Sequence, residues 1–518
     1  MPVRNRDGRS AVIVSGDRKV AYADLERIVA KAAAGFAGLG VCEGDAVALM
    51  LRNDVAFFEA AAAANAIGAN VVPINWHLKA AEAGYILRDC GARALVCHAD
   101  LLAQIASELP ADLPIIVVAT PAEVLQAYGL QPAPRPETGD KARWCDWVEA
   151  QPALAGPVKR GGSMIYTSGT TGVPKGVTRP RPSPAQLATM DRVSVITYGL
   201  RPDADIVVLM NGPMYHSATY SYAMLALRHR CNIVLQPRFD AEGLLHLIDR
   251  HRVTHMHMVP TMFVRLLRLP EATRRRYDLS SLRFVVHGAA PCPPDIKQAM
   301  IRWWGPIINE YYGATETGIA VWHSSEEAMR KPGTVGRAIE GGIVRILDAE
   351  GRTLPAGEVG EVYVRQTALP DFTYHRNAAA RAEVGRDGLA TVGDVGYLDE
   401  DGYLFLCDRK RDMVISGGVN IYPAEIEAAL TGMAGVRDCA VFGIPDDEFG
   451  EQLCACIEAE AGHTFAAEDV RAFLRERLAN YKVPKVVNFV ESLPREDSGK
   501  IFKRRLRDAY WQDRQRRI

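Results

Sequence analysis

Residues Tyr166-Thr-Ser-Gly-Thr-Thr-Gly-Val-Pro-Lys-Gly176 place three glycines, four serine or threonine hydroxyls and one lysine within a single short stretch. Met164 and Ile165 lead into it and Val177 leads out, so the stretch reads as a loop between two strands. Glycine permits positive φ and close approach of the backbone. Successive amides in such a turn form a nest for anions, and Lys175 adds a mobile point charge. The composition describes a cradle for phosphate oxygens formed by Thr167, Ser168, Gly169, Thr170, Thr171, Gly172 and Lys175. A plain surface loop shares that composition but not this order. The order also differs from a Walker A loop, because the lysine precedes the last glycine instead of following it.

The rest of the composition sets the scale. A chain of 518 residues implies two or more domains. Hydrophobic content of 48% with 24% charged residues is that of a globular chain with a large core. A net charge of −1 gives no field that would draw the chain to nucleic acid or to an acidic membrane. Ten cysteines lie scattered without metal-like spacing, which fits a reducing compartment. Cys454 and Cys456 fall on one face of a predicted strand as small apolar fillers. The first ten residues carry no apolar signal core. The most apolar stretch, 60–74, is broken by Asn65, Gly68 and Asn70 and is too short to cross a bilayer. The expectation is a cytoplasmic protein without an integral membrane segment.

Outward from the glycine stretch, helix and strand patterns alternate. Leu25, Ile28, Val29, Ala32, Ala33, Phe36 and Leu39 follow a 3.6-residue period over 22–39, and Gly40 ends it. Strands are predicted at 46–51, 70–73 and 94–97, helices at 54–67 and 79–89, and a loop at 130–160. Later strands fall at 206–210, 232–235, 253–259 and 283–287. This rhythm predicts an α/β fold, with mixed, largely parallel sheets flanked by helices in a large N-terminal domain. His255 and His257 share a strand face, which raises a metal pair, but no third ligand follows at a telling spacing. From Gly333 onward, turn pairs and short alternating strands predict a β-rich subdomain. The charged run Asp408-Arg-Lys-Arg-Asp412 lies between apolar blocks and reads as an interdomain hinge. Beyond it, 412–518 forms a small α+β unit with a helix at 467–479 and a basic, helical tail. The predicted division is 1–408, a hinge at 409–411, and a mobile domain at 412–518.

Six stretches in order resemble the signatures of the acyl- and aryl-CoA synthetase, luciferase and peptide-synthetase adenylation superfamily. The glycine stretch is similar to its phosphate loop. Asn309-Glu-Tyr-Tyr-Gly-Ala-Thr-Glu316 is similar to its adenine and magnesium segment, and Thr391-Val-Gly-Asp394 to its ribose segment. Asp408-Arg409 is similar to its hinge segment, Ser416-Gly-Gly-Val-Asn420 to the start of its mobile domain, and Pro494-Arg-Glu-Asp-Ser-Gly-Lys500 to its catalytic-lysine loop. The resemblance covers nearly the whole chain and implies ATP, Mg²⁺ and coenzyme A. It gives Lys500, Thr315, Glu316 and His216 the catalytic positions, with Glu316 as the magnesium ligand. It places adenine between Tyr312 and the Gly288-Ala289-Ala290 step, next to Gly313, and the ribose on Asp394 and Arg409. It puts coenzyme A at Gly417, Gly418 and Phe449, and makes Arg411 the pivot, where many relatives carry Asp or Lys. A homodimer is common among such proteins.

The implied reaction has two halves. A carboxylate and Mg·ATP give an acyl adenylate and pyrophosphate, with Lys500 offsetting the repulsion between two anions. Rotation of the mobile domain then admits a thiol. Tyr215, His216, Tyr220, Val259 and His287, with Ser217, Ala218 and Met262, form the expected acyl wall. Tyr220 favours a medium- or long-chain fatty acid or a bulky hydrophobic acid, with benzoate- and cinnamate-type acids open. Loading of a carrier-protein thiol and a catalytically dead nucleotide-binding regulator are the alternatives. The absence of a fused carrier domain favours free coenzyme A, and Lys500, Glu316, Asp394 and Arg409 together argue against a dead site.

Overall fold

The computed structural model describes residues 11–131, 141–167, 174–201, 205–416, 419–495 and 501–512. The strands among these residues form four sheets. One is parallel throughout, in the order Asn70–Pro73, Ala46–Met50, Ala92–His98, Ile115–Val118, Ala142–Arg143. Parallel neighbours need crossovers, which the helices Val55–Ala66, Ala80–Asp89, Ala99–Ile105 and Ala122–Tyr128 provide. Val55–Ala66 is nearly all buried. Its alanines allow close packing against Tyr22–Gly38, while Phe57 and Phe58 fill the core.

The largest sheet changes character along its width. It runs parallel from Val12–Ser15 through Asn232–Leu235, Val207–Met210, His255–Met258 and Phe284–His287 to Ile308–Ala314. From there Gly318–His323, Thr334–Ala338, Tyr403–Arg409, Asp394–Leu398 and Gly360–Gln366 follow antiparallel. The β-rich region is therefore an extension of the parallel sheet, and Ile308–Ala314 is the strand at the change of direction. A third sheet joins Ile165–Thr167, Lys175–Thr178 and Thr373–Tyr374, so the glycine stretch spans a hairpin whose tip, 168–173, lies outside the described residues.

A fourth sheet, with the helices Pro423–Thr431 and Ala467–Arg475, forms its own core of Ile426, Leu430, Val441, Leu453, Val470 and Leu474. Cys454 and Cys456 are both buried beside Leu493 on one face of Gly450–Ala459, as the spacing requires. The helix expected over 467–479 stops at Arg475. All the cysteines are free thiols, and no described helix is long and apolar enough to cross a membrane.

The segment read as a loop at 130–160 contains the strand Ala142–Arg143 and the helix Trp144–Glu149. Tertiary contacts override the local Pro and Gly signals there. Trp144 and Trp147 pack on Phe36, with ring centroids 6.4 and 5.3 Å away. Trp144 Nε1 donates to Glu59 Oε2 at 2.7 Å.

Glu59 is itself buried, and burial pushes its carboxyl up to about 7 although the indole bond pulls the other way. In the unfolded chain this proton leaves near ~4.3. The folded state holds it longer, so stability is lost as pH rises from the unfolded value to about 7. Glu59→Gln should therefore raise stability at pH 8 by roughly 3–4 kcal/mol and change it little at pH 4, as read by thermal unfolding at both values. An equal gain at the two pH values would place the cause elsewhere.

Candidate active site

Strand Ile308–Ala314 delivers the chain to Thr315 and Glu316 at its end. The strand bulges between Tyr312 and Gly313. A Cβ on Gly313 would stand 2.3 Å from the Gly318 carbonyl oxygen, so the turn needs glycine there. Glu316 is 8% exposed. Its Oε1 accepts from Thr167 Oγ1 at 3.0 Å and from the Tyr374 hydroxyl at 3.2 Å. The Lys175 ammonium sits 5.2 Å from the Tyr374 ring centroid. Thr315 Oγ1 donates to Ser217 Oγ at 2.7 Å, and Ser217 opens the helix Ser217–Arg228 directly after His216. Hairpin, strand end and helix start thus meet at Thr315 and Glu316.

Arg179 fastens this junction. Its guanidinium donates to the Thr315 carbonyl at 3.0 Å, to the Glu316 carbonyl at 2.6 Å and to the Pro370 carbonyl at 2.6 Å. Burial lowers its pKa to about 10, which leaves it charged at neutral pH. No motif pointed to Arg179, because one arginine after an outgoing strand has no spacing signature.

Tyr312 projects to the other side of the strand. Its hydroxyl donates to Asp394 Oδ2 at 2.7 Å, and Arg409 Nε lies 3.3 Å from Asp394 Oδ1. Asp394 and Arg409 are register partners on adjacent strands. Burial, then Asp394, raises the Tyr312 phenol well above its ordinary range. The Gly288-Ala289-Ala290 step follows Phe284–His287, with Ala289 at φ +67°. A non-glycine residue rarely adopts that conformation, and such strain gathers at functional sites. Gly288 lies behind Tyr311, where a Cβ would come 2.7 Å from the ring.

Tyr215, His216, Tyr220 and Val259 line one continuous cavity with Thr315 and Glu316. The Tyr215 ring meets Trp76 edge-on at 4.6 Å, and Tyr220 meets Phe57 at 6.2 Å. His287, expected in the same wall, is not there. It is fully buried on the sheet face covered by Pro294–Trp304, with Phe263 at 5.1 Å and Glu310 Oε2 at 3.8 Å. Glu310 also binds Lys297 and accepts from His323 at 2.9 Å. Burial pushes the His287 imidazole down to about 3, so it is a neutral member of a buried network. The strand register turns it away from the cavity. His255 and His257 bond to Thr254 Oγ1 and the Tyr311 hydroxyl.

Ser168, Gly169, Thr170, Thr171, Gly172, Gly417, Gly418 and Lys500 lie outside the described residues. Arg495 and Ile501, which bridge to each other on either side of the Lys500 loop, line the same cavity as Glu316. Lys503 is ion-paired to Glu427 at 2.8 Å, and Arg507 donates to the Arg411 carbonyl at 3.3 Å. Asp408 Oδ2 accepts from the Ala424 amide at 2.8 Å, at the start of Pro423–Thr431. Phe449 stands exposed on the hairpin between Val436–Asp446 and Gly450–Ala459, under the Lys485 ammonium at 4.5 Å and outside the cavity. Two segments around the expected hinge are thus tied to it by polar contacts.

The model of the family described as AMP-binding enzyme matches residues 2–369, and that of the AMP-binding enzyme C-terminal domain matches residues 425–500. The chain belongs to the AMP-binding enzyme family. Feruloyl-CoA synthase of an Amycolatopsis species is 34% identical over 505 residues, 96% of this chain and 95% of that one. Long-chain-fatty-acid–CoA ligase FadD13 of Mycobacterium tuberculosis is 32% identical, over 96% and 94%. The crystal structure of the anthranilate CoA ligase AuaEII in complex with anthranoyl-AMP, 27% identical, superposes with a TM-score of 0.84 over 98% of this chain and 95% of that one.

This AMP-binding enzyme is an AMP-forming acid–thiol ligase that uses ATP, Mg²⁺ and coenzyme A. Its residues fit the cation. Among the described residues the Glu316 carboxylate has hydroxyl donors and no cation at salt-bridge distance, which leaves a hard anionic oxygen for Mg²⁺.

Arg179→Lys should remove the fork that holds three carbonyls at once, since an ammonium lacks that geometry. Acid-dependent pyrophosphate release should fall by roughly two orders of magnitude, with a modest loss of Tm. Wild-type rates in this variant would show that the Thr315–Glu316 turn keeps its place without the guanidinium.

Proposed function

We propose that this AMP-binding enzyme activates a bulky hydrophobic carboxylic acid, ring-bearing or medium- to long-chain, and passes the acyl group to coenzyme A. The observation that supports this is the cavity of about 3120 Å³ in which Thr315 and Glu316 share walls with Tyr215, Tyr220, Val259 and Met262. That is several times an ordinary small-ligand pocket and accommodates nucleotide, acid and thiol together. Two of the relatives above are named for a phenylpropenoate and for long-chain fatty acids, in keeping with both forms of the acid.

In the first half, a carboxylate oxygen forms a bond to the α-phosphorus and the bond to the pyrophosphate oxygen breaks. Thr315 donates to the α-phosphate and Lys500 offsets charge between the two anions; Glu316 would hold Mg²⁺, whose charge would offset that of the phosphates. Tyr312 with Ala289 and Ala290 flanks the adenine, and Asp394 with Arg409 takes the ribose. Thr167, Lys175 and the loop between them hold the departing pyrophosphate. In the second half, residues 412–518 turn about 409–411, His216 lies beside the acyl carbonyl, and a thiol displaces AMP. Breaking the Asp408–Ala424 contact, which crosses 409–411, would accompany that turn.

Lys500→Ala should reduce pyrophosphate release by three orders of magnitude or so, while supplied acyl adenylate still yields thioester. Lys175→Ala should cost about tenfold in the first half-reaction. Separate assays of pyrophosphate release and of thioester formation from synthetic adenylate check both. Adenylation by Lys500→Ala at the wild-type rate would end this assignment. Coenzyme A consumption across acids of varied length and ring content, with AMP release measured with and without coenzyme A, tests the substrate class. Release of AMP independent of coenzyme A would turn the reading towards another acceptor.

A further inference from the structure

The strands Val207–Met210 and Asn232–Leu235 end side by side, at the register pair Met210 and Leu235. Beyond them the chain turns, and backbone groups of Gly212, Met214 and Gln236 leave the ladder. One side chain takes all three. Asn53 Nδ2 donates to the Gly212 carbonyl at 2.9 Å and to the Gln236 carbonyl at 3.3 Å, and Asn53 Oδ1 accepts from the Met214 amide at 3.1 Å. Asn53 is 1% exposed. A side-chain amide carries donors and an acceptor on one carbon without charge. Aspartate there would set a carboxylate against two carbonyls, and an apolar residue would leave three buried backbone groups unmatched.

The anchor is itself rigid, and it belongs to the other sheet. Asn53 follows Ala46–Met50 of the all-parallel sheet. The Arg52 amide donates to His98 Nδ1 at 3.1 Å, which leaves the imidazole proton on Nε2, 3.3 Å from Asp54 Oδ2. Asp54 Oδ1 accepts from the Val55 amide at 2.7 Å, at the start of Val55–Ala66. Arg52 is ion-paired to Asp100. Both neighbours of Asn53 are thus pinned to the first sheet, while its amide reaches across to the second.

The far end of the turn carries the chemistry. Gly212, Pro213, Tyr215, His216 and Ser217 line the cavity, and Asn53 does not. Thr219 ties the turn to Ser217–Arg228. Its hydroxyl bonds to the Pro213 carbonyl and lies 3.1 Å from the His216 carbonyl. Its methyl fills the space beside Gly212, where a Cβ would come within 2.7 Å. A displacement of Gly212–Met214 is therefore passed on to His216. Thr315, which meets Ser217, is held separately by the Arg179 bond to its carbonyl, so the displacement falls on His216.

We infer that Asn53 is a positioning residue, which sets His216 beside the acyl carbonyl by clamping Gly212–Met214 and does so without touching substrate. This rests on the acid–CoA ligase reading above and adds to it a fixed point outside the cavity.

The test is a double-substitution cycle on the full chain with ATP, Mg²⁺ and phenylpropenoic acid or a long-chain alkanoic acid, whichever the wild type uses faster. Acid-dependent pyrophosphate release is followed, with kcat and with KM for acid and for ATP. Asn53→Ala should lower kcat by about tenfold or more and leave KM for ATP within about twofold. Asn53→Asp, which keeps the shape and the acceptor but not the donors, should lose kcat in the same way, so the result does not hang on one variant. In a His216→Ala background either substitution should cost less than about threefold, because the group it positions is gone. A role in the fold alone would lower the active fraction by the same factor in both backgrounds. Equal losses in the two backgrounds, wild-type kcat in both Asn53 variants, or wild-type kcat in His216→Ala overturns the positioning role and leaves the ligase reading intact. No pyrophosphate release by the wild type with any acid would overturn the ligase reading, and the positioning role with it.

Discussion

The arrangement depends on one buried guanidinium holding a turn that no strand can hold. After Ala314 the chain leaves the sheet, and the carbonyls of Thr315 and Glu316 lose their ladder partners. Arg179 donates to both, and to Pro370 on a third segment. A buried carbonyl without a donor is costly, so the arginine decides where the turn can rest. With the turn fixed, Thr315 reaches Ser217 and Glu316 reaches Thr167 and Tyr374. The junction of helix, hairpin and strand follows from that single clamp.

Electrostatics then separates the carboxylates by task. Glu316 is held by neutral hydroxyls, which leaves its charge for a cation. Asp394 already faces Arg409 and the Tyr312 hydroxyl. Asp408 takes the amide of Ala424 near a helix start, and burial raises its pKa. Lys503 and Glu427 are paired nearby within the small domain, each partly exposed, and burial also raises the Glu427 carboxyl. At this junction the contact that crosses 409–411 is the hydrogen bond from the Ala424 amide to Asp408. A polar contact with small net gain suits a junction that the proposed rotation breaks and remakes, where a large apolar interface would resist it.

Much of this was legible in the sequence because periodicity and turn residues speak locally. The helix Tyr22–Gly38 and the strands Asn70–Pro73 and Asn232–Leu235 follow from apolar spacing and a stop signal. So do the alternation that makes the first half parallel and the separate core of the last hundred residues. What failed to show was decided at long range. Trp144–Glu149 hides among Pro and Gly signals and is a helix because its tryptophans cover Phe36. The continuity of the β-rich region with the parallel sheet is a matter of pairing between Ile308–Ala314 and Gly318–His323, which no composition records. Among the candidate site residues, those inside ordered motifs could be named. Arg179 could not, since its partners lie up to 191 positions away. His287 was named in the wrong place. Its residue type suited a pocket wall, but strand register, invisible without pairing partners, turns it towards Glu310.

The same register gives one short strand two unlike faces. Side chains on a strand alternate, so consecutive tyrosines at 311 and 312 cannot share a task. The bulge at Gly313 rotates the end of the strand after that division has been made. The Tyr312 hydroxyl is committed to Asp394 on one side of the sheet, and the Tyr311 hydroxyl to His257 on the other. Each hydroxyl is tied to a different neighbouring segment, so neither ring is free to follow the other. The two rings are therefore held independently at this strand, although they are adjacent in sequence. Tyr311 keeps its place only while Gly288 leaves the space behind the ring open, since a Cβ there would come 2.7 Å from it.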